Sequence, residues 1–472
     1  MRQPLTAILF GAGNRGLEAY GPYAVAHPDE LKFVAVAEPD PVRRARFAEV
    51  HEIPVERQYT SWEEVVEKEQ MADCVFDCTQ DQMHYQSGMA ALETGYDLLM
   101  EKPICNTLAE TVSIVSKAEE LGRLMQICHV LRFTNFWQAA YEIVRSGRLG
   151  QIITISHREN VSSWHMAHSF VRGNWRREDQ SAPMILAKCC HDLDLLYWFV
   201  GERAMRLSSV GSRLHFRPEN APDGAQKRCT DGCPVDETCP FYAPAVYIEL
   251  QPFKNALIRS RKLHYRMGGR LSQKYPVVAR SLGTVIPDLR RLNEFDGWPR
   301  SVISQDPANE AALLDALRTG PYGRCVYHCD NDVVDHQIVM MEFDNGISAS
   351  LTMHGHSEEE CRTLRIDGSQ ATLFGKFGLN RSFLDIRDHR SAEIEQIEFP
   401  SQVEAQGHGG GDYGVVRSFV RSMRGEVGDL VTARDSMESH LMAFAAEEAR
   451  LGGVVVNMEE YRSQAEKVNS HL

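Results

Sequence analysis

A glycine-rich loop near the start of the chain contains the first residues whose spacing suggests chemistry. Its six residues follow the pattern G-x-G-x-x-G, between an apolar run at 5–10 and a helix-like segment: Gly11, Ala12, Gly13, Asn14, Arg15 and Gly16. The glycines allow a tight turn, close approach of a pyrophosphate and close helix–strand packing. The first N–H groups of the helix can donate hydrogen bonds to phosphate oxygens. We predict that this loop binds a dinucleotide, the alternative being a glycine turn without a ligand.

An acidic residue follows the second apolar run, at the position that distinguishes NAD from NADP in dinucleotide-binding folds. Glu38 follows the apolar run 33–37, 22 residues after Gly16. A carboxylate at this place accepts hydrogen bonds from the ribose 2′-hydroxyl and repels a 2′-phosphate. We therefore expect NAD as the cofactor in preference to NADP.

The elements that must position this loop alternate between short apolar runs and helix-like segments. The apolar runs are residues 5–10, 33–37, 74–78, 96–100 and 124–128. Continuous apolar strands separated by helices are typical of a doubly wound parallel sheet. We predict an NAD-binding Rossmann domain over residues 1–130.

Beyond residue 130 the pattern indicates a different sheet. Residues 151–157 alternate between apolar and polar, and 336–375 contains successive strand-like runs broken by turns at 344–346 and 367–368. A helix is expected over 433–451 with Thr432 as its N-cap. We predict a C-terminal α/β domain over 131–472 with a large, mostly antiparallel sheet, interrupted by an insert at about 215–330.

Composition excludes several classes of function. The 472 residues suffice for two or three domains, and 51 Lys and Arg against 65 Asp and Glu give a formal net charge of −14. Such a balance argues against a nucleic-acid surface. No apolar run approaches the roughly 18 residues of a membrane span, and the N-terminus lacks the pattern of a secretory signal. We expect a cytoplasmic protein without nucleic-acid or membrane partners.

These motifs resemble the Gfo/Idh/MocA family of oxidoreductases. The most specific match is the tripeptide Glu101-Lys102-Pro103 after a predicted strand, beside the glycine loop and Glu38. Further matches are Thr79, His84, His129, Arg132, Trp175 and residues 190–201. The resemblance implies an NAD(P)-dependent dehydrogenase that oxidises a hydroxyl of a sugar or cyclitol, or reduces the matching ketone. It also implies cofactor contacts by Thr79, His84, Glu101 and Lys102.

Hydride transfer from a carbon bearing a hydroxyl needs a proton acceptor and a positive charge near the developing oxyanion. Lys102 follows a strand at the carboxyl edge of the sheet, where such sheets bind ligands. The resemblance adds His191 as a general acid/base. The family usually has an aspartate four residues earlier, but Ala187 stands there. Lys188 is expected one helical turn before His191. If Lys188 and Lys102 both faced the substrate hydroxyl, each would lower the pKa of the other, so that one could act as a base. The alternative is that Lys188 is a solvated lysine on the helix surface.

Four further residues are candidates for binding the substrate: Arg132, His165, Trp175 and Asp192. His165 lies on a polar and aromatic loop before Trp175, which would suit a sugar over the catalytic edge. Arg132 could hold an anionic group or close an ion pair between the domains. Asp192 could bind substrate hydroxyls or orient its neighbours.

Three cysteines cluster within the expected insert. Cys229, Cys233 and Cys239 are spaced C-x3-C-x5-C among proline, glycine and acidic residues. In a reducing compartment such a cluster could hold a structural zinc ion with a fourth ligand from elsewhere, or remain as free thiols. The spacing matches no common zinc motif.

We therefore predict an NAD-dependent oxidoreductase acting on a hydroxyl of a sugar, glycoside or cyclitol. One alternative is an NAD-dependent glycosidase that oxidises the sugar transiently and eliminates the aglycone; another is a non-catalytic NAD-binding regulator. The predicted antiparallel sheet leaves one face to be covered, and the resemblance implies a homodimer or homotetramer built on such a face.

Overall fold

Two β-sheets organise the protein in this computed structural model, which describes residues 3–283, 286, 289–290, 294–401, 409–426 and 431–469. One sheet is parallel, and the other is mostly antiparallel and larger. This confirms the predicted fold class. Where the chain divides into domains stays a prediction.

The described strands of the first sheet are parallel and lie in the order β3-β2-β1-β4-β5-β6. They are β1 (Leu5–Phe10), β2 (Leu31–Ala37), β3 (Gln58–Tyr59), β4 (Cys74–Asp77), β5 (Asp97–Met100) and β6 (Met125–Ile127). All four residues of β4 are buried, because both faces of the sheet are covered. The strand order reverses between β1 and β4, and ligands bind such sheets outside the carboxyl ends of the strands at this point.

Five helices accompany these strands: α1 (Gly21–Ala26), α2 (Pro41–Val50), α3 (Glu63–Val66), α4 (His84–Thr94) and α5 (Leu108–Glu120). A π-helical turn, Asn14–Tyr20, leads from the glycine loop into α1. The side chain of Asp40 caps α2 by accepting from the N–H groups of Val42 and Arg43.

The second sheet has the order β14-β13-β12-β11-β7-β10-β9-β8-β15 over the described strands. They are β7 (Ile152–Ser162), β8 (Ala204–Ser212), β9 (His336–Phe343), β10 (Ser348–Ser357), β11 (Cys361–Gly368), β12 (Ala371–Gly378), β13 (Ser382–Asp388), β14 (Ile394–Phe399) and β15 (Val455–Asn457). β7 pairs in parallel with β10, and the other pairs are antiparallel. One face is buried, while Ile338 and Met340 project outward from β9.

The other described helices lie before the insert, within it or near the C-terminus. Before the insert come α6 (Asn135–Arg145), α7 (Ser163–Met166), α8 (Met184–Ala187) and α9 (Cys190–Val200). The insert contributes α10 (Ala243–Tyr247), α11 (Gln251–Arg259), α12 (Leu263–Lys274), α13 (Pro276–Gly283) and α14 (Glu310–Thr319). The last are α15 (Gly411–Met423), α16 (Ala433–Gly452) and α17 (Met458–Asn469). None of the helices in the described ranges combines the length and apolar composition that crossing a bilayer requires.

Two C-terminal helices complete the core of the N-terminal half. In α15, Val416 and Phe419 pack into the same buried cluster as Leu9 and Phe76 of the first sheet, with the Phe76 and Phe419 ring centroids 5.7 Å apart. The helix α16 begins with a capping box in which Thr432 and Asp435 satisfy each other's backbone N–H groups. The predicted N-cap at Thr432 is therefore confirmed.

Candidate active site

The glycine loop has the shape that a dinucleotide requires. Gly11 has φ +84°, and a Cβ there would collide with the backbone of Cys78. A Cβ on Gly16 would collide with the Gly11 carbonyl and the Leu9 side chain. A Cβ on Gly13, in contrast, would meet no described atom within 4 Å. The space outside Gly13 therefore fits a ligand that approaches the backbone closely, as a pyrophosphate does.

Arg15 of this loop turns inward and joins three parts of the chain. Its Nε donates to Glu101 Oε1 at 2.5 Å, and its Nη2 donates to Asp412 Oδ1 of α15 at 2.7 Å. Tyr20 also donates to Glu101. Burial opposes ionisation of Glu101, but the positive charge of Arg15 lowers the pKa of that carboxyl. This cluster fixes Glu101, and with it the neighbouring Lys102.

Glu38 lies at the carboxyl end of β2, against the glycine loop, and is 2% exposed. Its Oε2 accepts from the N–H of Ala12 at 2.8 Å, and its Oε1 accepts from the N–H of Asp40 at 2.9 Å. Arg43 Nη2 lies 2.6 Å from Glu38 Oε1. A carboxylate able to accept hydrogen bonds from a ribose hydroxyl and a guanidinium able to accommodate a 2′-phosphate are therefore adjacent.

The other candidate cofactor residues line or support the same edge. Asn14 donates to Glu18 Oε2 at 2.6 Å. Thr79, after β4, donates to Asp77 Oδ1 at 2.7 Å. His84 is fully buried, with Nδ1 2.7 Å from the Pro103 carbonyl oxygen and Nε2 3.3 Å from that of Thr79. His84 thus acts here by holding the loop after β4 against the segment that contains Lys102.

Lys102 extends from the first sheet to the helices of the second half. Its Nζ donates to the carbonyl oxygen of Ala187, the last residue of α8, at 2.8 Å. His191 follows in the first turn of α9 and is 8% exposed. The structure therefore brings the two predicted catalytic residues to one place, although they are 89 positions apart in the sequence.

A second histidine, His129, contacts His191. His129 is buried, and its Nδ1 atom is hydrogen-bonded to Nδ1 of His191 at 3.4 Å. Burial lowers the pKa of His129 to about 4, so its ring is neutral at pH 7. Asp194 lies 3.9 Å from His129 and receives two hydrogen bonds of 2.6 Å from Arg132. Arg132 thus has the Asp194 carboxylate as its partner and holds it next to His129, which contacts His191.

Lys188 departs from the sequence-based expectation in two ways. It lies in a break between α8 and α9, not within a continuous helix. Its Nζ lies 3.1 Å from Glu360 Oε1 and 3.3 Å from Glu159 Oε1, with 16% of the side chain exposed. Burial would lower its pKa, but these two carboxylates raise it. The expected lowering of the Lys188 pKa and the alternative of a solvated lysine are both wrong.

The carboxylates around Lys188 belong to a buried ion-pair layer. Arg362 Nε lies 2.7 Å from Glu159 Oε2 and donates to Asp192 Oδ1 at 2.8 Å. His157 Nε2 lies 2.6 Å from the same Asp192 oxygen. Burial raises the pKa of Glu159 to about 7 despite the charges of Arg362 and Lys188. Two cations therefore face three carboxylates: Glu159, Glu360 and Asp192.

Sequence reasoning missed four members of this layer, namely His157, Glu159, Glu360 and Arg362. They come from β7, from β11 and from the turn before β11, and Glu159 and Arg362 stand opposite each other in the β7–β11 register. The alternation of β7 does place His157 and Glu159 on one face. Strand pairing over some 200 positions, however, leaves no local signal in the sequence.

The insert supplies aromatic residues beside His165. His165 Nδ1 lies 3.0 Å from Glu360 Oε1, and its ring centroid is 5.1 Å from that of Trp298. Trp164 lies 5.2 Å from Trp298 by ring centroids. Trp175 donates from Nε1 to Asp81 Oδ2, after β4, at 2.8 Å. The loop predicted to bind the substrate therefore touches both the insert and the first half of the chain.

The three cysteines of the insert favour the alternative of free thiols over a zinc site. Cys229 is buried and accepts from Arg172 Nη2 at 3.5 Å, whereas Cys233 and Cys239 are partly exposed. Within the described ranges, no three His, Cys, Asp or Glu side chains come close enough together to hold a metal ion. The residues present here do not form a metal site.

Two family models match the chain. One is described as the oxidoreductase family with an NAD-binding Rossmann fold and matches residues 5–129. The other is the GFO/IDH/MocA C-terminal domain and matches residues 137–232. The matched ranges contain the glycine loop, Lys102 and His191.

Curated relatives are similar over part of their length. The chain is 22% identical over 176 residues to the putative oxidoreductase YteT of Bacillus subtilis, covering 36% of this chain and 40% of that protein. It is 26% identical over 170 residues to 1,5-anhydro-D-fructose reductase of Ensifer adhaerens, covering 36% and 49%. The matches thus span about half or less of the length of these relatives.

Solved structures show the same fold over nearly the whole chain. Levoglucosan dehydrogenase in complex with NADH and levoglucosan superposes with a TM-score of 0.64 at 15% identity, covering 97% of this chain and all of that one. At this identity the likeness shows the fold alone. With both family models matched in order along the sequence, the chain belongs to the Gfo/Idh/MocA family of oxidoreductases.

Proposed function

We propose that this protein is a dehydrogenase that moves a hydride between a nicotinamide dinucleotide and a hydroxyl-bearing carbon of a sugar or cyclitol. The observation that carries the proposal is the 2.8 Å hydrogen bond from Lys102 Nζ to the carbonyl oxygen of Ala187, four residues before His191. It joins the carboxyl edge of the nucleotide-binding sheet to the end of α8, directly before the helix with the candidate acid/base. Relatives named 1,5-anhydro-D-fructose reductase and levoglucosan dehydrogenase support a sugar-like substrate.

When bound, the dinucleotide accepts or supplies the hydride. The chain's own residues handle the proton and the charge. His191 takes the proton of the substrate hydroxyl, and the Lys102 ammonium stabilises the negative charge that develops on that oxygen. His129 is a positioning residue, because its buried, neutral ring is hydrogen-bonded to His191.

NAD is the proposed cofactor in preference to NADP. Glu38 puts a carboxylate where a 2′-phosphate would lie, and its pairing with Arg43 at 2.6 Å neutralises the nearby guanidinium. The solved structure of levoglucosan dehydrogenase contains NADH. The direct support is the charge of Glu38.

The experiment that tests the function follows reduced nicotinamide by absorbance with a panel of sugars, glycosides and cyclitols. A dehydrogenase accumulates NADH in proportion to the substrate oxidised, and His191→Ala should lower the rate about 10²- to 10⁴-fold. A glycosidase that oxidises only transiently would release aglycone without net NADH. The names of the relatives do not favour that alternative. A protein that binds NAD but turns over no member of the panel would contradict the proposal.

We further propose a homodimer or homotetramer built on the outer face of the second sheet. Val210 of β8 is 66% exposed and Met340 of β9 is 60% exposed, so a broad apolar surface faces outward. Light scattering should return a multiple of 53.3 kDa. A value of one chain mass at micromolar concentration would reject the assembly. A cytoplasmic location stays a prediction.

A further inference from the structure

The insert contains a stretch in which every formal charge is positive. Between residues 251 and 287 the sequence has eight Lys and Arg and no Asp or Glu, in a chain of net charge −14. The helices α11, α12 and α13 account for most of this stretch. The charge of the insert is therefore opposite to that of the rest of the protein.

Helix α12 presents one face of this stretch to solvent. Its exposed residues recur at spacings of three and four positions and so share a side of the helix: Leu263, Arg266, Met267, Arg270 and Lys274. The opposite side contains the buried residues Gly269 and Ser272, and Gly269 lies against Leu257 and Ile258 of α11. Small residues thus let α12 pack closely inward and leave its long side chains outside.

Apolar side chains are exposed among these cations. Leu263 and Met267 are each 62% exposed, and Val277 at the start of α13 is 75% exposed. Together, the five outward residues of α12 and the exposed Val277 and Val278 of α13 form what we call the basic face. It is a mixed surface of aliphatic and cationic side chains.

The cations at the centre of the basic face have no counter-ion among the described residues. At its margin, Arg259 lies 3.3 Å from Glu358, and Arg261 lies 3.3 Å from Glu398. For Arg266, Arg270 and Lys274, no carboxylate among the described residues lies within ion-pair distance. Three adjacent cations are therefore available to an external anion.

We propose that the basic face docks the protein on the surface of an anionic lipid bilayer. Exposed Lys and Arg attract anionic headgroups, while neighbouring Leu, Met and Val enter the boundary between headgroups and acyl chains. Long cationic side chains reach the phosphates from beside the aliphatic ones. This inference revises the expectation of no membrane partner, which rested on the lack of an apolar run long enough to span.

Other anionic partners match the surface less well. A nucleic acid would use the cations but would leave Leu263, Met267 and Val277 exposed to water. A protein partner usually meets a continuous apolar centre with a polar rim, whereas here each aliphatic residue has a cationic neighbour. A bilayer needs neither a groove nor a fixed pattern of donors.

The test measures binding of the full chain to vesicles by co-sedimentation. Vesicles of phosphatidylcholine alone are compared with vesicles containing 30 mol % phosphatidylglycerol, a composition of roughly the charge density of natural anionic membranes. We expect binding to the anionic vesicles, weakened when salt rises from about 0.1 to 0.5 M. Arg266→Gln with Arg270→Gln should lower the partition coefficient about thirtyfold, at about fivefold per cation.

The matched control is Arg318→Gln with Arg390→Gln, which removes the same charge from exposed positions outside the basic face. It should bind like the original protein. Lys274→Gln with Val277→Gln is a second variant, in case the first pair perturbs folding. Equal binding to neutral vesicles, no binding at low salt, or equal losses in the control would overturn the proposal. A change of oligomeric mass in the Arg266/Arg270 variant would instead make the face a contact between copies.

Discussion

The cofactor edge of the first sheet and the ion-pair layer of the second sheet are built from the same kinds of polar residues but in different ways. At the cofactor edge, the glycine loop, Glu38 and Lys102 each follow a strand directly. In the ion-pair layer, Lys188 and Asp192 from the α8–α9 segment meet Glu360 and Arg362, some 170 positions away, where α9 packs on the second sheet. The residues of the cofactor edge can be predicted from local sequence motifs, whereas those of the ion-pair layer come together only when the chain folds.

This difference also separates two uses of a lysine. Lys102 has the carbonyl of Ala187 as its protein partner and follows β5 at the carboxyl edge of the first sheet, where such sheets bind ligands. Lys188 lies between two carboxylates that satisfy its charge within the protein. A lysine next to a catalytic histidine in sequence is therefore not by that fact a catalytic group. The predictions below test this division.

Lys102→Ala should have the largest effect. Removing a cation that stabilises a developing oxyanion lowers kcat about 10²- to 10³-fold. Affinity for NAD, measured by calorimetry, should change little, since the glycine loop and Glu38 hold the dinucleotide. The exposed Lys32 provides a control, and Lys32→Ala should leave kcat unchanged. A large loss of NAD affinity in Lys102→Ala would move this lysine from catalysis to cofactor binding.

Lys188→Ala should act mainly on stability. It leaves Glu159 and Glu360 buried without their shared cation, and breaking such a buried pair costs about 3 kcal/mol. Urea unfolding measures this loss. Lys376→Ala removes a more exposed partner, 2.7 Å from Glu359, and should cost under about 1 kcal/mol. If Lys188 also tunes the proton acceptor, the pH optimum of the rate will shift; an unchanged rate and pH profile would leave it a purely structural role.

The two glutamates beside Lys188 should respond oppositely to pH. Burial raises the pKa of Glu159 to about 7, so its ionisation lowers the free energy of unfolding as pH rises towards 7. Glu159→Gln should therefore flatten that decline and be neutral or stabilising at pH 8. Burial opposes ionisation of Glu360, but His165 and Lys188 lower its pKa, so Glu360→Gln should destabilise at pH 8. Equal losses from both variants would contradict the assigned charges.

Changes at the ribose position should be the smallest. Glu38→Gln should narrow the ratio of NAD to NADP affinity by about tenfold, because it removes one charge–phosphate repulsion of roughly 1.4 kcal/mol. Arg43→Ala should change the ratio the other way, since it removes the cation paired with Glu38. Calorimetric titration with both dinucleotides checks the pair. Tighter binding of NADP than NAD by the unmodified protein would overturn the preference.

Much of the fold could be predicted because each half repeats a simple pattern. Continuous apolar strands after which helices begin are typical of the first sheet, and turns such as that at 344–346 separate the strands of the second. The start of α16 after Thr432 followed from capping chemistry. The segment expected to place Lys188 one helical turn before His191 is less regular, since the helix breaks at Lys188 and Cys189.

The candidate site could be predicted only where function and local structure coincide. Gly11, Gly16 and Glu38 were predictable because strand, turn and acid occur within one supersecondary unit. Glu159 and Arg362 were not predictable, because only the pairing of β7 with β11 distinguishes them from other charged residues. The pKa of Lys188 is raised because the folded second sheet places Glu159 and Glu360 beside it, so the sequence alone could not predict that shift.

The helix α15 has a consequence for how the protein is made. Its residues Val416 and Phe419 close the core behind β1 and β4, and Asp412 holds Arg15 of the glycine loop. A ribosome that adds about 5–20 residues per second needs roughly 15–60 s to travel from residue 130 to this helix. Through that interval the nascent nucleotide-binding half has an open apolar flank. We expect nascent chains that have passed residue 130 but do not yet include α15 to bind chaperones and to be cleaved by proteases.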